Sequence, residues 1–156
     1  MKLASGIAPV AKMLSKGINV CLGTDGASSN NNLDMLEEMR VAAYLQKILA
    51  DDPTVLPAEM VMKMATLRGA AALGFENAGS IEVGKTADLI VLNTEKAHYY
   101  PKYNIISAIV YSGNSSDVEA VIIDGNLVME GGHLITLDEE RIFYKAQKCA
   151  LKLTGQ

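Results

Sequence analysis

Histidine is scarce in this sequence, and the scarcity limits the chemistry the chain can carry unaided. There are two, His98 and His133. Neither belongs to a His-x-His pair. His98 precedes Tyr99-Tyr100-Pro101 and His133 follows Gly131-Gly132, so both are expected on exposed loops or turns. A catalytic metal needs about three protein ligands and an open position. No metal is therefore expected to be held by this chain alone. His-Glu-x-x-His, Cys-x-x-Cys, a glycine-rich phosphate loop and Gly-x-Ser-x-Gly are also missing. Cysteine is equally sparse. Cys21 lies in an apolar strand pattern and Cys149 on a C-terminal helix pattern, and two cysteines make no disulfide framework. Both are expected to be buried free thiols. There is no basic run, and the net charge is −4, which argues against nucleic acid or an anionic membrane as partner. The longest apolar runs, such as 87–92 with Asp88 inside it, are too short to span a bilayer. The first residues have no apolar stretch of signal-peptide length. The expected location is the cytoplasm.

What is present is a folding composition. The chain has 156 residues, 49% of them hydrophobic and 21% charged, enough for one domain of ordinary size. Val10, Met13 and Leu14 have helical spacing, with Pro9 in the first turn and Lys16-Gly17 as a stop. Ile18 to Gly23 reads as a buried strand. A second helix is expected from Asn32 to Leu49, with Asn32 as its cap and Leu36, Met39, Ala43 and Ile48 inward. A third starts at Pro57, places Met60, Met64, Leu67 and Ala71 on one face, and ends at Gly74.

Near residue 77 the character changes. Residues 79–93 read as two short strands around a glycine turn, and 105–110 is open between helix and strand. Asp124-Gly125-Asn126 between apolar runs is a hairpin signal. A last helix is expected from Leu137-Asp138 to Leu153, with Asp138 or Thr136 as cap and Ile142, Ala146, Cys149 and Leu153 inward. The reading is α/β with two units: 1–76, then a β-rich module with its terminal helix over 77–156.

The most informative stretch is Gly23-Thr24-Asp25-Gly26-Ala27-Ser28-Ser29-Asn30-Asn31-Asn32. It sets a carboxylate where an apolar strand pattern ends, on a loop of small polar residues, and in barrel enzymes that edge is where chemistry is done. Alone, Thr-Asp-Gly after a strand is also ordinary turn chemistry.

Five segments together resemble one family: Lys2 to Val10, Gly23 to Asn31, Leu33-Asp34-Met35, Ala65 to Ala70, and Gly79 to Val91. They resemble the C-terminal third of the amidohydrolase superfamily, nearest to the 5-methylthioadenosine/S-adenosylhomocysteine deaminases and related chlorohydrolases. The resemblance implies the end of a (β/α)8 barrel, followed by part of a small β-sandwich and a terminal helix. It also implies a divalent metal, zinc or iron, in the parent enzyme. Asp25 matches the aspartate at the end of the eighth barrel strand, which contacts the metal and takes a proton from the attacking water. Ser28, Ser29 and Asn30 would offer polar contacts to an aminopurine nucleoside. Every histidine ligand of the family is missing upstream of Asp25.

A full barrel takes about 250 residues. The chain is therefore read as a fragment, inactive alone, of a metal-dependent hydrolase acting on carbon–nitrogen bonds. Open strand edges and uncovered helices should make it self-associate or bind the upstream barrel portion. The alternatives are a non-catalytic structural or oligomerisation module, a small-molecule-binding domain, and another amidohydrolase such as guanine deaminase or triazine chlorohydrolase.

Overall fold

A computed structural model describes residues 3–155. Lys2, the first residue of one segment carrying the resemblance, lies outside them. Helix α1 (Val10–Ser15) and the one-turn α2 (Ala27–Asn30) flank an extended segment. Helices α3 (Met35–Ala50), α4 (Ala58–Ala65) and α5 (Leu67–Ala72) follow. Strand β1 (Leu89–Leu92) leads into α6 (Ile105–Ser112), then β2 (Val118–Ile123), β3 (Asn126–Glu130), β4 (His133–Leu134) and α7 (Glu139–Thr154).

The core is helical. Leu36, Met39 and Ala43 of α3 meet Ala58, Val61 and Met64 of α4, with Leu56 from the connection and Val110 from α6. Their spacing on α3 and α4 is the i, i+3, i+4, i+7 stripe that buries one helix face. Because α6 packs on α3 and α4, chain from both sides of residue 76 builds this core. Residues 105–110, open in the sequence, are thus helical. Asn104 caps α6 by accepting from Ser107 N at 2.9 Å. Gly113 then permits a close approach, since a Cβ there would stand 2.6 Å from Ile109 O and 2.9 Å from the Tyr99 hydroxyl.

The sheet is antiparallel with order β1-β2-β3-β4. The expected hairpin forms at Asp124-Gly125, where both residues have positive φ (49° and 74°), the geometry of a two-residue turn matched to strand twist. Asp88 Oδ1 accepts from Asp124 N at 2.8 Å and ties that turn to the start of β1.

Several expectations are corrected. Ile18 to Gly23 is extended but forms no strand among the described residues. A ladder needs a neighbouring strand, and here Leu22 N donates instead to Met64 O at 3.2 Å. Only Leu89–Leu92 of the 79–93 stretch pairs; the rest is turns. The cap of α3 is Asp34, not Asn32: its Oδ1 accepts from Leu36 N at 2.8 Å and Glu37 N at 3.2 Å. The 57–74 helix breaks at Thr66 (φ −122°, ψ −94°), so Leu67 turns outward. Cys21 and Cys149 are exposed, not buried. Terminal helix α7 starts at the expected cap, Asp138, but buries no residue, because nothing among the described residues packs over its apolar stripe. Ile48, placed inward by periodicity, is 75% exposed.

Candidate active site

The extended segment ends at Thr24. Asp25 follows in the left-handed region (φ 60°), where Asp and Asn are the non-glycine residues most at ease. Asp25 lines a recess of about 230 Å³ together with Ser5, Thr24, Ser29, Asn30 and Glu38. Asp25 is exposed, and its Oδ1 accepts from Gly26 N at 2.7 Å. The Ser29 hydroxyl and the Gly26 amide hold its carboxyl below the usual carboxylate range. The group is therefore ionised at neutral pH, able to accept a proton or ligate a cation.

The other expected site residues sit on α2. Ser28 is exposed, and Ser29 Oγ donates to Gly26 O at 3.0 Å. Asn30 Nδ2 donates to Thr24 O and to Glu38 Oε1, each at 2.8 Å. Glu38 lies in the first turn of α3, where an acidic side chain complements the helix's positive end. Its link to Asn30 depends on how the loop closes, which no local pattern in the sequence signals.

Among the described residues, no three or more His, Cys, Asp or Glu side chains converge to hold a metal ion. Asp25 is one donor where about three are needed. The residues present do not complete a metal centre by themselves.

A second polar cluster lies outside this recess. Asp117, 1% exposed, accepts from Lys96 Nζ at 2.8 Å, Tyr99 OH at 3.0 Å and Asn114 N at 2.9 Å. His98 Nε2 stands 2.9 Å from Oδ2, the oxygen that also takes Tyr99 and Asn114, while Lys96 is on Oδ1. Burial works against the charge, yet Lys96, the Asn114 amide, His98 and Tyr99 together hold the carboxyl well below the usual range. Burial and the Asp117 charge push the Tyr99 phenol up to about 12. His98 is thus an exposed residue whose ring is anchored on a buried carboxylate. Each group here already has its counterpart, so the cluster is a fastening between the 96–99 turn and the start of β2.

A sequence model of the amidohydrolase family matches residues 1–128, and the chain belongs to that family. A curated relative from Dictyoglomus thermophilum, named 5-methylthioadenosine/S-adenosylhomocysteine deaminase, is 54% identical over 153 residues, 98% of this chain and 36% of that protein. A 5'-deoxyadenosine deaminase from Methanothermobacter thermautotrophicus is 52% identical over 99% of this chain and 36% of its own length. Among solved structures, an adenosine deaminase from Xanthomonas campestris with bound zinc superposes with a TM-score of 0.96 at 37% identity. It is matched over 99% of this chain and 36% of that one. An atrazine chlorohydrolase from Arthrobacter aurescens complexed with zinc gives a TM-score of 0.82 at 28% identity, over 92% of this chain and 32% of its own. The chain spans about a third of the length of the relatives it matches.

Proposed function

We propose that this chain is the C-terminal part of a hydrolytic deaminase of aminopurine nucleosides, with 5-methylthioadenosine and S-adenosylhomocysteine as the substrate class. The products are the inosine analogue and ammonia. The observation that carries the reading is an ionised, exposed Asp25 lining a recess, separated by one residue from the apolar run Ile18 to Gly23. In this reading Ile18 to Gly23 is the last barrel strand, waiting for neighbours. Asp25 takes a proton from the water that attacks the ring carbon bearing the amine. Ser28 and Ser29 would supply polar contacts to the nucleoside, on the loop that Asn30 holds through Thr24 O. Residues 1–76 close the barrel and 77–156 form the β module with its terminal helix. The divalent metal, zinc or iron, belongs to the assembled parent; the ligands besides Asp25 come from elsewhere in it. The cytoplasm remains the proposed location. Among the described residues no helix is long and apolar enough to cross a membrane.

Grafting tests this directly. This chain replaces the matched third of the Dictyoglomus thermophilum deaminase, and ammonia release from 5-methylthioadenosine is followed. The graft is expected to turn over, and the chain alone is not. A folded, zinc-loaded graft without ammonia release would reject the reading.

A second reading, a structural or oligomerisation module, is favoured by one observation. Terminal helix α7 carries exposed Phe143, Tyr144 and Leu153, the last 87% exposed, and Ile48 and Leu73 are also bare. Apolar surface of this kind drives association. Both readings therefore expect the isolated chain to self-associate or to bind the upstream barrel portion. Light scattering at rising concentration checks it, and a monodisperse monomer throughout would contradict both.

A further inference from the structure

We infer that Asn30 and Glu38 form a clamp that positions Asp25 through the Thr24 carbonyl. The inference rests on the proton-accepting role proposed for Asp25. It starts from a mismatch between how exposed that aspartate is and how firmly its backbone is held. The Asp25 carboxyl is tied within its own turn, where Oδ1 accepts from the Gly26 amide. That contact moves with the loop and cannot fix it against the rest of the molecule. Asn30 can. Its amide nitrogen has two hydrogens, and both are committed: one to Thr24 O, the carbonyl next to Asp25, and one to Glu38 Oε1, each at 2.8 Å.

Glu38 sits on a rigid element. The next residue, Met39, is 3% exposed in the core. The start of the same helix is doubly pinned by Asp34, which caps it and also accepts from Ser115 N at 3.1 Å. The line of support therefore runs from the helical core through Glu38 and Asn30 to the peptide that enters Asp25. The pair also stands between two recesses: both residues line the Asp25 pocket and a neighbouring one reached by Gly6, Ile7, Val41 and Leu45. A substrate-binding amide would keep a donor free. Asn30 keeps only its carbonyl oxygen, so its main effect is on geometry. A catalytic carboxylate displaced by about 1 Å can cost about 10²-fold in rate.

The test uses the grafted deaminase, with steady-state kinetics and a crystal structure of each variant. Asn30→Ala and Glu38→Ala are expected to lower kcat by about 10²-fold with KM little changed, and to displace the Asp25 loop. Glu38→Gln keeps an acceptor oxygen for Asn30 and is expected to retain near-native kcat. Asn30→Asp sets a carboxylate against Thr24 O and Glu38, and is expected to fall at least as far as Asn30→Ala. A raised KM with intact kcat in Asn30→Ala would make Asn30 a substrate contact and overturn the clamp. So would native kcat in Glu38→Ala, or equal damage from Glu38→Gln and Glu38→Ala. If Asp25→Asn retains activity in the same graft, the role given to Asp25 fails instead. The crystal structures then still decide whether the clamp holds the loop.

Discussion

Asp117→Ala is expected to destabilise the chain by about 1–3 kcal/mol, read from denaturant unfolding, the range for leaving buried hydrogen-bond donors without a partner; the Lys96 and His98 side chains, each 35% exposed, can turn to water. The cost comes from what is left behind. Lys96, His98, the Tyr99 hydroxyl and the Asn114 amide all converge on that carboxylate, and its removal leaves donors facing a hole. Asp117 also closes the capping box of the short turn before β2, and its carbonyl receives Asn93 N at 2.8 Å. One residue thus secures the sheet to the 93–99 stretch. A typical domain has only about 5–15 kcal/mol of net stability, so the variant should show a clearly lower unfolding midpoint. A surface control, Glu95→Gln, removes an exposed pair with Lys102 and should leave the unfolding midpoint where it is, because exposed pairs contribute little.

The same carboxylate sets an acid dependence with a definite sign. Its native pKa is depressed, so below the unfolded value, near 3.9, the unfolded state binds more protons. The stabilisation is complete above about pH 4 and declines as pH falls through the native value. Asp117→Asn should therefore start less stable at neutral pH and lose less on acidification. A variant whose acid slope matches the parent's would place the source of that slope in other carboxylates.

This cluster is also where sequence reading stopped. His98 and Asp117 are nineteen positions apart. Asn114-Ser115-Ser116-Asp117 has a local capping-box pattern, but nothing in it points to His98; the packing of α6 on the 97–99 turn and the pairing of β1 with β2 make the two neighbours. Elements with purely local causes were legible: the hairpin at Asp124-Gly125, the cap at Asp138, the start of α4 after Pro57. Elements whose state depends on a partner were not. Ile18 to Gly23 has the composition of a buried strand, but a strand is a relation between segments, and no neighbour lies beside it among the described residues. The apolar stripe of α7 is correct in period and has nothing to cover it, so Cys149 is exposed for the same reason as Leu153. Asp34, not Asn32, is the cap because α3 begins at Met35 and its first free amides, Leu36 N and Glu37 N, are within reach of Asp34 Oδ1. For the candidate site, the turn at Asp25 was legible from Thr-Asp-Gly after an apolar run. The Asn30–Glu38 contact was not, because it spans two helices and a loop.

Asp25→Asn in the grafted deaminase is expected to lower kcat/KM by about 10²–10⁴-fold, the usual contribution of a positioned acid–base group. The substitution is chosen for what it preserves. Asn tolerates the positive φ of this position as Asp does, and its amide oxygen can still accept from Gly26 N. The loop and the Asn30 link to Thr24 should therefore stay in place. What changes is charge and basicity: an amide cannot take up the proton, and it binds a cation more weakly. Zinc content measured on the same preparations separates those two losses. Retained zinc with lost turnover assigns Asp25 to proton transfer, and lost zinc assigns it to holding the ion as well. Alanine would be a poorer choice, because it forfeits the Gly26 contact and strains a left-handed backbone at once. A graft with Asp25→Asn that deaminates 5-methylthioadenosine at the parent rate would leave the recess without a catalytic group. The resemblance of fold would then carry no chemistry at this residue.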